Sequence, residues 1–255
     1  MAFRHANRLF TTPRPPASPG RKHKVDHLAK RLDLPMEDGR IVVWIWGQAE
    51  RKVVLLHGWE GRSSQWHPMV ERLLQHGFQV IAVDPPGHGS SRGWKRANLP
   101  LFARTLLRVE AEFGPLDCVV GHSLGGAALV RALSLGLDAK RAAVISAPAR
   151  PRRYWIGLLK VLGLPQRRVQ AFDRRFEAFY GFTWEELDIV RLASERMEPA
   201  LVIHDLQDRE VPAEEARLLA EAWPGATLLH TDGLGHNRLL GAPEVIQAVL
   251  AFAAA

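Results

Sequence analysis

Cysteine is almost absent from this 255-residue chain, in which Cys118 stands alone. No intramolecular disulfide can form, so a disulfide framework and a cysteine-rich zinc site are both excluded, and a reducing, cytoplasmic setting is the default expectation. Long apolar runs are missing too. Nowhere do eighteen uncharged apolar residues follow one another, and Arg4, His5 and Arg8 stand where an export signal would carry its apolar stretch. A soluble protein without stable membrane insertion is expected. Acid is missing from the beginning of the chain, where Asp26 is the first carboxylate. There is no internal repeat, no low-complexity tract, and no RNP, KH or zinc-finger pattern.

What is present is ordinary globular composition, 47% hydrophobic and 24% charged, enough for one α/β domain with an insertion or for two small domains. The net charge of +7 gathers in two places. One is the first thirty residues (Arg4, Arg8, Arg14, Arg21, Lys22, Lys24, Lys30), the other the stretch holding Arg150, Arg152, Arg153, Arg167, Arg168, Arg174 and Arg175. Two solvated basic faces are the expectation, with no nucleic-acid partner.

Residues 1–35 read as a basic, proline-rich arm with one short helix around Val25 to Leu34. The apolar runs that follow are short and β-branched: Ile41 to Trp46, Val53 to Leu56, Val80 to Val83, Cys118 to Val120 and Ala142 to Ile145. Between them apolar residues recur at helical steps, as in Trp66, Met69, Val70, Leu73 and Leu74, or Phe102, Leu106, Val109 and Phe113. Strands alternating with helices predict a mostly parallel sheet covered on both faces. The alternation stops at Pro148. Residues 149–197 offer no strand and carry Val169, Phe172, Phe176 and Phe179 in helical phase, so a helical insertion is expected there. Strand rhythm resumes with Ala200 to Ile203 and Thr227 to His230, giving a core of 36–148 and 198–255.

The most informative stretch is Gly121-His-Ser-Leu-Gly-Gly126, which follows a buried strand and opens a helix. In that context Gly-x-Ser-x-Gly holds a serine in a strained turn, exposes its hydroxyl above the sheet and aims a helix N-terminus at it. A serine hydroxyl needs a base, and the base needs an orienting carboxylate. His236, in a glycine-rich loop after the last strand, is the candidate base. Asp208, in the loop after the Ala200 to Ile203 strand, is the preferred acid because it lies deeper in that loop than its rival Asp205, whose replacement by Asn should cost little. The backbone N–H of Leu124 and that of Trp59, in His57-Gly-Trp59, are the expected donors to an oxyanion. His57, His88, His122 and His204 read as hydrogen-bonding turn residues, and Cys118 as a buried core side chain. Trp59, Trp155, Phe176 and Phe179 are the expected walls of a substrate pocket. The insertion's arginines are expected to face solvent.

Together, Leu56-His-Gly-Trp59, Asp84-Pro-Pro-Gly-His-Gly-Ser90, Gly121-His-Ser-Leu-Gly-Gly126, His204-Asp-Leu-Gln-Asp208 with Val211-Pro212, and Gly235-His236 resemble an α/β-hydrolase of the esterase and lipase type. The resemblance runs from about Ile41 to the C-terminus and leaves the arm unexplained. It implies the α/β-hydrolase fold: a sheet of up to eight strands flanked by helices, and a helical cap inserted after the sixth strand. It also implies a Ser-Asp-His triad with neither metal nor organic cofactor. Asp205 departs from the glycine often found after that histidine. The expected activity is hydrolysis of small-molecule carboxylic esters with short to medium acyl chains, by a monomer or homodimer. A carbon–carbon or amide hydrolase of the same fold and a non-catalytic binding module are the alternatives.

Overall fold

The short apolar runs pair into one sheet. In the computed structural model, which describes residues 2–14, 23–91, 93–94 and 96–255, the strands are β1 (Lys30–Met36), β2 (Gly39–Trp46), β3 (Lys52–Leu56), β4 (Gln79–Asp84), β5 (Cys118–His122), β6 (Ala142–Ile145), β7 (Ala200–Asp205) and β8 (Ala226–Thr231). Their order across the sheet is β1, β2, β4, β3, β5, β6, β7, β8. β2 runs antiparallel to both its neighbours, and the pairings from β4 to β8 are parallel. The helices are α1 (Ala2–Thr11), α2 (His67–Gln75), α3 (Leu99–Phe113), α4 (Leu124–Ser134), α5 (Pro151–Val161), α6 (Gln166–Tyr180), α7 (Ile189–Ser194), α8 (Ala213–Ala222), α9 (Gly235–Arg238) and α10 (Pro243–Ala254). Among the described residues, no helix is long and apolar enough to cross a membrane.

Successive side chains of a strand point to opposite faces, and the central strands are apolar at every position because both faces are covered. Val54, Leu56, Ile81, Val83 and Val119 meet Phe102, Leu106, Leu129 and Leu133 of α3 and α4 on one side. Val53, Leu55, Val80, Ala82, Cys118 and Val120 meet Met69, Val70, Leu73, Val245 and Val249 of α2 and α10 on the other. Burial pushes the Cys118 thiol up to about 12, so it is a packing group and not a nucleophile.

The N-terminal region differs from the expected arm in two places. Only one turn of 3₁₀ helix forms over Asp26–Leu28, and the anticipated helix gives way to β1, paired with β2 from Lys30↔Ile45 to Met36↔Gly39. Pro35 is tolerated because β1 is the sheet's edge and its missing N–H leaves no ladder bond unmade. A boundary between residues 35 and 36 therefore cuts through a strand. Upstream, Ala2–Thr11 is helical and buries Phe3, Ala6, Asn7 and Thr11. The Phe3 ring stands edge-on to Trp155 and Phe172, and Phe10 to Trp155 and Phe176, all from the segment between β6 and β7. Residues 15–22 of the expected arm lie outside the described residues.

Candidate active site

β5 ends in His122, and the chain reverses at Ser123, which holds φ 52° before α4 begins at Leu124. A positive φ is uncommon for a residue with a side chain and persists only where the surroundings enforce it. They do so here by close approach. A Cβ on Gly121 would lie 2.5 Å from the carbonyl oxygen of Gly125, and one on Gly58 would lie 2.7 Å from the Ser123 Cβ. The loop after β3 is thus pressed against the serine. It closes as a tight turn, Gly61 N–H donating to Gly58 O at 3.1 Å, and Trp59 at its tip shares a cavity with Ser123, Leu124 and His236. The Leu124 amide, first in its helix, has no partner within α4.

Asp208 and His236 meet across the loops that follow β7 and β8. His236 Nδ1 donates to Asp208 Oδ2 at 2.7 Å, and both side chains are buried. The other carboxylate oxygen accepts from the N–H groups of Glu210 at 2.8 Å and Val211 at 3.0 Å. Burial works to raise the Asp208 carboxyl, but the His204 and His236 imidazoles and the Val211 amide outweigh it and hold the group well below the usual carboxylate range. His204 Nε2 lies 2.9 Å from Val211 O and 3.4 Å from Asp208 Oδ2, so its hydrogen bond goes to the carbonyl. The histidine loop is held by two further residues. His122 Nε2 donates to the backbone oxygen of His236 at 2.8 Å, and Asp205 accepts from the N–H groups of Leu234 and Gly235, both at 2.9 Å.

Buried histidines behind the serine belong to the scaffold. His57 Nδ1 donates to Gly58 O at 2.8 Å and His88 Nδ1 to Pro86 O at 2.9 Å. Burial and the neighbouring His57 push His88 down to about 4. Burial and the neighbouring His236 push His122 down to about 3. Asp84 accepts from the Ser63 and Ser90 amides and from Trp44 Nε1. Despite burial, His57 first, then the Ser63 side chain and the Ser90 amide, hold its carboxyl at about 2.

The cavity over Ser123 encloses about 380 Å³. Trp59, Leu124, Phe176, Phe182, Trp184 and Val211 give it a mostly apolar wall, to which α1 adds Leu9 and Phe10. Two expected wall residues are elsewhere. Trp155 is fully buried between Phe3, Phe10 and Phe176. Phe179 is 55% exposed, packed on Phe3 and under the Arg96 guanidinium. Trp155 falls outside because its ring is enclosed by Phe3, Phe10 and Phe176, and Phe179, though on the same stripe of α6 as Phe176, lies nearly one turn further along the helix and covers Phe3 instead. Arg167, Arg168, Arg174 and Arg175 are exposed. Tyr154, Phe10 and Glu210 also reach the cavity. Of these only Phe10 had a sequence signal, its three-and-four spacing with Phe3 and Ala6.

The sheet order, the serine in its strand-turn-helix corner and the hydrogen-bonded Asp208–His236 pair on the following loops are the arrangement of an α/β-hydrolase. The model of the alpha/beta hydrolase family matches residues 53–249, and the chain belongs to that family. Among curated proteins it is similar to the pimeloyl-[acyl-carrier protein] methyl ester esterases of Yersinia enterocolitica, 26% identical over 82% of this chain and 95% of the relative, and of Xanthomonas campestris, 28% identical over 80% and 95%. Among solved structures it resembles the Pyrococcus furiosus esterase Pf2001, with TM-score 0.70 and 21% identity over 94% of this chain and 96% of that one. It also resembles the thioesterase domain of the curacin biosynthetic pathway, with TM-score 0.66 and 18% identity over 89% and 99%. These two likenesses show the fold.

Proposed function

We propose that the chain is a serine hydrolase of carboxylic esters, with Ser123 as nucleophile, His236 as base and Asp208 as orienting acid. The observation that carries this reading is the shared cavity of Ser123 and His236, with Asp208 hydrogen-bonded to the far side of the imidazole. Asp208 fixes the tautomer in which Nδ1 bears the proton and leaves Nε2 free to take the serine proton. Attack on the ester carbonyl gives a tetrahedral oxyanion, received by the amides of Leu124 and Trp59. His236 then returns the proton to the departing alcohol, and water repeats the sequence on the acyl-enzyme.

A mostly apolar cavity of about 380 Å³ suits an uncharged acyl chain of short to medium length, since small-molecule pockets begin at about 300 Å³. The curated relatives are named as esterases of a pimeloyl-[acyl-carrier protein] methyl ester, which is likewise an acyl chain esterified to a small alcohol. The segment 149–197 acts as a cap over this cavity, and its exposed arginines steer anionic substrates without touching the reacting bond. The buried, inert Cys118 fits a reducing compartment, and the reading includes a cytoplasmic monomer or homodimer.

Ser123→Ala tests the reading. Turnover of p-nitrophenyl esters and labelling by a fluorophosphonate should vanish while the melting temperature stays near wild type. Activity retained near the wild-type rate would remove Ser123 from the reaction.

A further inference from the structure

Among the residues lining the cavity, Tyr154 and Trp184 carry donors that are buried and lack any hydrogen-bond partner. The position of Trp184 is set by packing, its ring stacked on Phe176 at 4.9 Å and 11°, although its Nε1–H stays unpaired. Tyr154 sits on the first turn of α5, one turn beyond the point where the chain leaves the core. That departure is rigid, because the buried Glu215 of α8 accepts from the N–H groups of Ala149 at 2.7 Å and Arg150 at 2.9 Å. The phenol is therefore held in place with its oxygen out of water and unpaired. Burying a hydroxyl this way is unfavourable unless something supplies an acceptor.

We infer that the Tyr154 hydroxyl contacts the substrate directly, donating to a neutral oxygen of the ester other than the reacting carbonyl, and so selects esters that carry such an oxygen. The inference rests on the ester-hydrolase reading of the same cavity. Apart from the two indoles, Trp59 and Trp184, the other polar side chains of the wall are engaged or assigned. Thr11 Oγ1 donates to Asn7 O, Asn98 caps α3 by accepting from Leu101 N–H, and Asn237 donates to Glu210. Ser123 and His236 belong to the chemistry, and the reacting carbonyl already has two amides.

Charge fixes the nature of the acceptor. Burial first, then the carboxylates of Glu215 and Asp208, hold the phenol above its ordinary range, so it remains an O–H donor at any working pH. The mostly apolar wall and the Glu210 carboxylate already in it disfavour a charged acceptor, which leaves an ether oxygen or an ester, ketone or amide carbonyl. A donor prepared for an oxygen rejects the all-methylene analogue, because binding that analogue leaves the hydroxyl unpaired.

The test compares wild type with Tyr154→Phe on esters matched in length, with an ether oxygen replacing one methylene at successive positions of the acyl chain, and in parallel of the alcohol. At one position the wild-type preference for the oxygen-bearing ester, as a ratio of kcat/KM values, should exceed that of Tyr154→Phe by about tenfold, the worth of one hydrogen bond near 1.4 kcal/mol. The difference should lie mainly in KM. The melting temperature of the variant should be unchanged or higher, because an unpaired hydroxyl has been removed. With only two tyrosines in the chain, 3-fluorotyrosine NMR of the Ser123→Ala protein gives a reading independent of turnover, in which the Tyr154 resonance should shift with the oxygen-bearing ester and not with its methylene counterpart. Equal preferences in wild type and variant across both series would overturn the inference. So would a uniform fall in kcat for every ester, which would move the hydroxyl to the reacting carbonyl, or a lowered melting temperature with no change in preference. Retained activity in Ser123→Ala would instead defeat the ester-hydrolase reading itself.

Discussion

Two aspartates three positions apart divide the support of His236. Asp208 holds the ring, through the 2.7 Å bond to Nδ1. Asp205 holds the loop, accepting from Leu234 and Gly235 N–H, from Thr231 Oγ1 at 2.8 Å and from Gln207 N–H at 3.0 Å. Asp208→Asn should lower kcat on the order of 10⁴-fold, by analogy with the serine-protease acid, because the amide favours the wrong imidazole tautomer. Folding should be little affected. Asp205→Asn should behave differently, and not as the mild change expected from the sequence. An amide keeps one acceptor oxygen, so an N–H of the 234–235 turn loses its partner, at about 1–3 kcal/mol. We expect a lower melting temperature together with a kcat loss of about tenfold. Thermal unfolding beside steady-state kinetics checks this, and an unchanged melting temperature would return Asp205 to a passive role.

α1 and the segment between β6 and β7 stabilise each other. The first three turns of the chain present Phe3, Ala6 and Phe10 on one side, too small a face to fold alone. That face meets Trp155, Phe172 and Phe176, while Tyr180 Oη donates to the buried Asn7 side chain at 2.9 Å. The consequence reaches the cavity, because Phe10 is part of its wall. Phe10→Ala should enlarge the acyl space, so that kcat/KM for long p-nitrophenyl esters rises several-fold relative to short ones. Stability should fall by less than the ~3–5 kcal/mol of a fully buried phenylalanine. A chain-length profile identical to wild type would show that α1 braces the segment without shaping the pocket.

For the molecule as a whole, the groups that titrate abnormally predict a definite response to acid. His88 and His122 are pushed down from 6.5 to about 4 and about 3. Between those values and 6.5 the unfolded chain binds protons that the folded chain refuses, so stability falls as the pH is lowered through this window. Each unit of depression corresponds to about 1.4 kcal/mol. Asp84, at about 2 against an ordinary 3.8, adds stability that is complete above 3.8 and lost as the pH falls towards 2. Melting temperature should therefore decline from about pH 6.5 downward, well before the carboxylates titrate. A flat profile between pH 7 and 4.5 would contradict the burial of these histidines as neutral groups.

Seven of the eight strands, the serine corner and the placing of Asp208 and His236 on the loops after the last two strands were legible in the sequence, because each rests on local rules: apolar runs, flanking glycines and loops after strands. β1 was hidden by its basic residues and Pro35, which only an edge strand tolerates. α1 was hidden because its apolar face is small and its partners lie about 150 residues away. Spacing put Phe176 and Phe179 on one helix stripe, yet only packing shows that Phe176 meets the cavity while Phe179 covers Phe3. The separate duties of Asp205 and Asp208 and the unpaired hydroxyl of Tyr154 left no local trace. Chain chemistry determined which reactive groups this protein has, since motif and spacing are properties of neighbouring residues. Which of its remaining polar and aromatic groups face the cavity was decided by contacts between segments far apart in the chain, where burial and hydrogen-bond partners are first defined.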